Sequence, residues 1–169
     1  PPPPPPPLFF FMQMTSYDLS LGLVGSEMCI RDRSNIEQTL SIIKPDAVKN
    51  KDTGLILDRV LKAGFHIVAG KLLNMSLQQA EGFYEIHKGK PFYDELITFM
   101  SSGQCMVLAL EKENAVEEWR NTIGSTNPDE AAEGTIRKMY AESISANAVH
   151  GSDSEDSAER EIEIMSSLF

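Results

Sequence analysis

Cys105-Met106-Val107-Leu108-Ala109-Leu110-Glu111 is the stretch whose reading decides the fold. It is an unbroken apolar run, too short for a helix of ordinary length. An exposed strand face would show polar residues in alternation, so this segment reads as a strand covered on both faces. Upstream, Ser76 followed by Gln79 forms a capping-box pattern that opens a short helix carrying Phe83 and Tyr84. Pro91 suits the first turn of the next helix, which continues through Leu96, Ile97 and Met100.

Further upstream, Phe65 to Asn74 is strand-like, with Phe65, Ile67 and Ala69 alternating. Gly54 to Ala63 pairs Ile56 with Val60 and Leu57 with Leu61, a helix face that Gly64 ends. Glu37 to Ile43 is the first strand, stopped by Lys44-Pro45-Asp46. Downstream, Asn114 with Glu117 reads as a second capping box, its helix running to Ile123 before Gly124. Asn127 to Gly134 is a loop, Thr135 to Ala141 a brief ordered return, and Asn147 to Ser152 the last strand. Glu155 and Asp156 then favour a helix start through the dipole, in a helix carrying Ile162 and Met165. This order is that of an α+β domain, a ferredoxin-like βαββαβ arrangement with a four-stranded antiparallel sheet and helices on one face.

The 169 residues suffice for one domain with a proper core, and 41% hydrophobic with 24% charged residues is ordinary for a globular chain. A formal charge of −10 argues against general affinity for nucleic acid or an anionic membrane. No run reaches the roughly 18 apolar residues a membrane helix requires. The two cysteines, Cys29 and Cys105, make no disulfide framework and fit a reducing, cytoplasmic setting. Residues 1–33 differ from the rest, opening on seven prolines and Leu8-Phe9-Phe10-Phe11. They read as a non-native or disordered leader ahead of a domain over 34–169.

Asn147-Ala148-Val149-His150-Gly151-Ser152-Asp153-Ser154 carries the chemistry. A neutral imidazole is a competent nucleophile near pH 7, most so when its second nitrogen is held by an acceptor. Gly151 removes bulk beside the ring, so a large charged group can approach. A lone histidine beside a turn is more often a packed core residue; what changes the reading is its company. Lys44, Arg120, Thr126 and Arg137 all lie where the periodic pattern breaks, and lysine and arginine suit phosphate oxygens. Each alone reads as a solvated surface residue. Neither Gly-x-x-x-x-Gly-Lys-Ser/Thr nor Gly-x-Gly-x-x-Gly occurs, so a bound nucleotide would be held by side chains. His66 and His87 have no partner at zinc-ligand spacing.

Ile43-Lys44-Pro45-Asp46-Ala47-Val48, Lys90-Pro91-Phe92, Gly134-Thr135-Ile136-Arg137 and the histidine segment together resemble the nucleoside diphosphate kinases, over Ile36 to about Met165. The resemblance implies a phosphotransferase that passes the terminal phosphate of a nucleoside triphosphate to a diphosphate. It implies a ping-pong route through phosphohistidine, with Mg²⁺ held mainly by the nucleotide phosphates. On it, His150 is the nucleophile, Glu161 the acid orienting its other nitrogen, and Ser152 the hydroxyl supporting that acid. Lys44, Arg120, Thr126 and Arg137 bind phosphates and Tyr84 lies beside the histidine. Phe92 stacks on the base, while Asn147 and Lys44 meet the sugar. Stacking reads a π-face and tolerates any base.

Lys90 and Tyr93 depart from the arginine and second phenylalanine usual in the family. The family also forms homo-oligomers; the short tail after Met165 points to a tetramer, with a hexamer the alternative. Two competing classes are a catalytically silent nucleotide- or protein-binding member and an RNA-binding sheet. The first is disfavoured by the survival of His150, Lys44, Arg120 and Arg137; the second by the acidic charge and the lack of exposed aromatic pairs on the strands.

Overall fold

The computed structural model describes residues 36–167; the leader expected over 1–33 lies outside the described residues. In chain order the elements are β1 (Ile36–Ile43), α1 (Pro45–Lys49), α2 (Thr53–Lys62), β2 (His66–Asn74) and α3 (Leu77–Phe83). A 3-10 turn, Glu85–His87, leads to α4 (Tyr93–Met100), β3 (Gln104–Glu113) and α5 (Ala115–Ile123). Then come α6 (Ile136–Tyr140), β4 (Val149–Gly151) and α7 (Glu155–Ser166). The sheet order is β2-β3-β1-β4, with every neighbouring pair antiparallel. This is the ferredoxin-like topology, with β3 and β1 central.

The central position of β3 follows from its sequence. Cys105 and Val107 point to one side, with Leu40 and Ile42 of β1, into a core completed by Phe83, Met100 and Met165. Leu108 and Leu110 point to the other, with Ile43, into a core completed by Ile56, Val60, Trp119 and Ile123. Successive strand residues alternate faces, so two apolar clusters on one strand require two cover layers. The helices therefore sit on both faces, and not on one as the element order alone suggested. The elements α1, α2, α5 and α6 supply one layer, and α3, α4 and α7 the other.

Ser76 caps α3 as expected. Its Oγ accepts from Gln79 N at 3.1 Å and Gln79 Oε1 accepts from Ser76 N at 2.8 Å. Asn114 does not cap α5 in the expected way. Its φ is 51° and its side chain makes no cap bond; Glu37 Oε2 instead accepts from Val116 N at 3.5 Å. Pro91 lies just ahead of α4, whose cap is Phe92. The helix α1, directly after the strand stop, was not foreseen. Nor does β2 alternate as read. Ile67 pairs with Leu110 while Ala69 pairs with Ala109, so Val68 is an extra residue in a bulge. The bulge flips the parity of the strand, and Ile67, Val68 and Leu72 are exposed.

Gly124 closes α5 at φ 86°. A Cβ there would come within 2.5 Å of Thr135 Oγ1, so this turn of chain admits only glycine. Among the described residues no helix is long and apolar enough to cross a membrane.

Candidate active site

His150 stands in the middle of β4, opposite Ile42 of β1. Its ring is thereby on the face covered by α3, α4 and α7. The Phe83 and Tyr84 rings meet it edge-on, at 5.4 and 6.2 Å between centroids. Helix α7 is capped by Ser154, whose Oγ accepts from Ser157 N at 3.1 Å, and runs back across β1. That path places buried Glu161 beside the imidazole, with His150 Nε2 2.9 Å from Glu161 Oε2.

The same carboxylate oxygen accepts from Ser152 Oγ at 2.7 Å, and Ser152 Oγ in turn accepts from Leu40 N at 3.2 Å. The acid is thus fixed from behind by a hydroxyl anchored to the sheet, an outer partner of the kind that orients a functional imidazole. Nδ1 has no hydrogen-bond partner among the described residues and is not among the buried unpartnered atoms; it opens to solvent.

What it opens into is a cleft of about 390 Å³. Lys44, Tyr84, Phe92, Arg120, Thr126, Arg137, Asn147, His150 and Glu161 all line it. Ser152 is the one expected site residue outside the lining, behind Glu161. The last residue of β1 is followed by Lys44, which is 6% exposed. Burial, with the Arg137 charge adding and Asp46 opposing, brings its ammonium down to about 8.

Arg137 on α6 is also buried, and its pKa is lowered to about 10, by burial and then by Arg120. Two of its nitrogens donate to backbone carbonyls, NH1 to Gly124 O at 3.0 Å and NH2 to Val149 O at 2.9 Å, tying the loop after α5 to β4. Its fork is therefore half committed to the fold, leaving Nε without a partner. Arg120 and Thr126 are exposed at the cleft wall.

Two more unpartnered polar atoms of the cleft residues are informative. Tyr84 Oη and Asn147 Oδ1 are buried without hydrogen bonds, although an unmet polar group in a protein interior is costly. Burial, reinforced by Glu161, pushes the Tyr84 hydroxyl up, so it remains a donor at neutral pH. Half-exposed Phe92 stands at the mouth, its ring 5.7 Å from that of His87. Ile144, also exposed, lines the same cleft.

Reasoning from sequence missed four polar members of this wall, His87, Glu95, Ser145 and Asp153, of which His87 and Asp153 matter most. His87 was weighed only as a zinc ligand, yet its ring stacks on Tyr84 at 6.2 Å and Lys90 Nζ lies 3.2 Å from its Nδ1. Burial, then Lys90 and His150, lowers its pKa. Its signal was the three-residue spacing from Tyr84, which puts both on one side of a 3-10 turn. Asp153, next to Ser152, also lines the cleft. The Ser157 and Ser154 hydroxyls hold its carboxyl below the usual range. Among the described residues no group of three or more His, Cys, Asp or Glu could hold a metal ion.

Beside this grouping of a histidine, a buried carboxylate and convergent cations stands similarity over most of the chain. The sequence model of the family described as nucleoside diphosphate kinase matches residues 37–167. The chain belongs to the nucleoside diphosphate kinase family. A nucleoside diphosphate kinase of Salinibacter ruber is 53% identical over 125 residues, covering 74% of this chain and 88% of that protein. The structure resembles the Aquifex aeolicus nucleoside diphosphate kinase with a TM-score of 0.76 at 41% identity, over 77% of this chain and 94% of that one. It resembles the Halobacterium salinarum nucleoside diphosphate kinase, solved in complex with CDP, with a TM-score of 0.73 at 36% identity. That match covers 76% of this chain and 86% of the halophilic one. Membership in the nucleoside diphosphate kinases makes the chain a phosphotransferase acting on nucleotides.

Proposed function

We propose that the chain moves the terminal phosphoryl group of a nucleoside triphosphate to a nucleoside diphosphate in two steps through His150. The observation that carries this reading is the division of labour on one ring, with Nε2 held by Glu161 and Nδ1 open to a cation-lined cleft. In the first step the Nδ1 lone pair attacks the γ-phosphorus. An N–P bond forms, the bond to the bridging oxygen breaks, and the nucleoside diphosphate leaves with that electron pair. The ring, phosphorylated on Nδ1 and still protonated on Nε2, is cationic; the Glu161 carboxylate stabilises it. In the second step a terminal oxygen of another diphosphate attacks the same phosphorus and the N–P electrons return to the ring.

Such transfers depend on positioning and on neutralising the equatorial oxygens. Lys44, Arg120 and Arg137 supply the charge, with Tyr84 and Thr126 as hydroxyl donors. Phe92 offers a half-exposed face for stacking on any base, and the free amide oxygen of Asn147 suits a sugar hydroxyl. The CDP of the halophilic relative is consistent with a diphosphate as the acceptor.

Mg²⁺ is a hard cation that favours oxygen ligands and keeps several waters. In this cleft it would be a companion of the nucleotide phosphates, and the Asp153 carboxylate at the cleft wall, held ionised by the Ser157 and Ser154 hydroxyls, would be the acidic side chain to hold one of its waters. When bound it would offset phosphate charge. A cytoplasmic location suits the buried free thiol of Cys105. A homo-oligomer, with tetramer and hexamer as the two alternatives, is supported by the exposed Ile67, Val68 and Leu72 on the edge strand β2.

The test is incubation with γ-labelled ATP. Wild type should take up acid-labile, alkali-stable label and surrender it to an added diphosphate, with the parallel reciprocal plots of a ping-pong enzyme. Label persisting in His150→Ala would overturn the reading. Light scattering reports the assembly.

A further inference from the structure

Between Asn147 and His150 the backbone reverses on a residue ill suited to it. Ala148 has φ 70°, the left-handed region that penalises any residue with a Cβ. Val149 N donates to Asn147 O at 2.8 Å, which closes a γ-turn of the strained, positive-φ kind. Ala148 is fully buried, so its own polar groups need partners from the protein. Both come from the segment after β1. Lys44 N donates to Ala148 O at 2.8 Å, and Ala148 N donates to Asp46 Oδ2 at 3.0 Å.

The second of these bonds is the one made by a side chain. Asp46 sits in the first turn of α1, with its other oxygen, Oδ1, buried and unpartnered. Burial pushes its carboxyl up, while the bond from Ala148 pulls the other way. A carboxylate held in so costly a place suggests a task beyond starting a helix of five residues. We propose that Asp46 is a positioning residue for the phosphoryl transfer, holding the turn at Ala148 and through it the aim of Asn147 and His150 into the cleft.

This rests on His150 as the phosphoryl acceptor. If Ala148 relaxed to negative φ, the peptide planes on both sides would rotate. Asn147 lies immediately before that hinge, and Val149, paired with Ile43, immediately after it. Misplacement of about an ångström at a reacting group can cost on the order of 100-fold in rate. Asp46 touches neither the imidazole nor, on this reading, the nucleotide; it acts through the backbone.

The test measures single-turnover labelling of His150 from γ-labelled ATP, together with steady-state kcat and KM per folded molecule by circular dichroism. Asp46→Ala should slow labelling and lower kcat by about 10- to 100-fold, with KM within about threefold of wild type. Asp46→Asn keeps an acceptor oxygen and should recover to within about fivefold. Wild-type labelling by the folded alanine variant would overturn the proposal, as would an asparagine variant no faster than alanine.

Ala148→Gly removes the Cβ penalty and guards against a single variant that does not fold. On that background Asp46→Ala should lose no more than about threefold; a loss of tenfold or more would mean Asp46 does not act through the turn. A wild-type enzyme that never takes label fails differently. It removes the phosphohistidine reading itself, and this inference with it.

Discussion

The two edges of the sheet are opposites. On one side β4 is three residues long, Val149–Gly151, with every residue engaged. Val149 is in the core, His150 faces the cleft, and Gly151 lies so close to α5 that a Cβ would come within 2.7 Å of Trp119. On the other side β2 runs nine residues, His66–Asn74, bulged at Val68 and largely exposed. It carries apolar side chains and no member of the cleft. A short edge, clamped from both sides, can hold an imidazole to a fraction of an ångström. A long, loosely covered edge can do no such thing, and is suited to pairing.

Substitutions on the two edges should therefore differ in kind, and the largest effect belongs to β4. His150→Ala should lower transfer by about 10⁴-fold or more while leaving the circular-dichroism spectrum intact; residual turnover above that level would move the chemistry off this edge. Glu161→Gln removes the anion that holds Nε2 and should slow single-turnover labelling by about 10- to 100-fold. An unchanged rate would mean that the acid only packs.

Next is a pH effect at Lys44, with activity and stability moving in opposite directions. Its pKa is about 8 when folded, against 10.5 for an unperturbed lysine. The ammonium is therefore lost as pH rises through about 8, and KM for the diphosphate should climb, by up to about tenfold per pH unit. Lys44→Arg, charged throughout this range, should flatten that limb. The unfolded chain binds the proton more tightly, so this group's contribution to stability is fully present above about 10.5 and lost as pH falls through about 8. Thermal melts across that range check the sign.

Smaller still is Gly151→Ala, whose methyl group meets the Trp119 ring and should cost about 1–3 kcal/mol, read as a lower Tm. The smallest effect on catalysis is expected from β2. Val68→Asp should change labelling per site by less than about twofold, yet reduce the mass seen by light scattering. Loss of labelling there would tie the two edges together and break the contrast.

Legibility in the sequence followed the same divide. Where one physical requirement dominates, the residues declare it: six apolar residues in a row made β3 a doubly covered strand, and Ser76 with Gln79 marked a helix start. The cleft residues were legible because their joint motifs are specific to one family. Features set by the tertiary context were not. The bulge at Val68 arises from pairing with β3, and the left-handed Asn114 from the path of chain into α5. Helices on both faces could not be separated from helices on one by element order alone. Asp46 was read as part of a strand stop and of a family motif but given no role of its own, because its partner, the Ala148 amide, is 102 positions away.

The choice of nitrogen at His150 fixes the regiochemistry of any covalent intermediate. With Nε2 engaged by Glu161, a phosphorylated enzyme would carry the pros (1-phosphohistidine) isomer and none of the tele (3-phosphohistidine) form. The two isomers have distinct NMR couplings and are distinguished by isomer-selective antibodies. One blot thus reads out, at the level of an adduct's connectivity, which side of an imidazole a single carboxylate occupies.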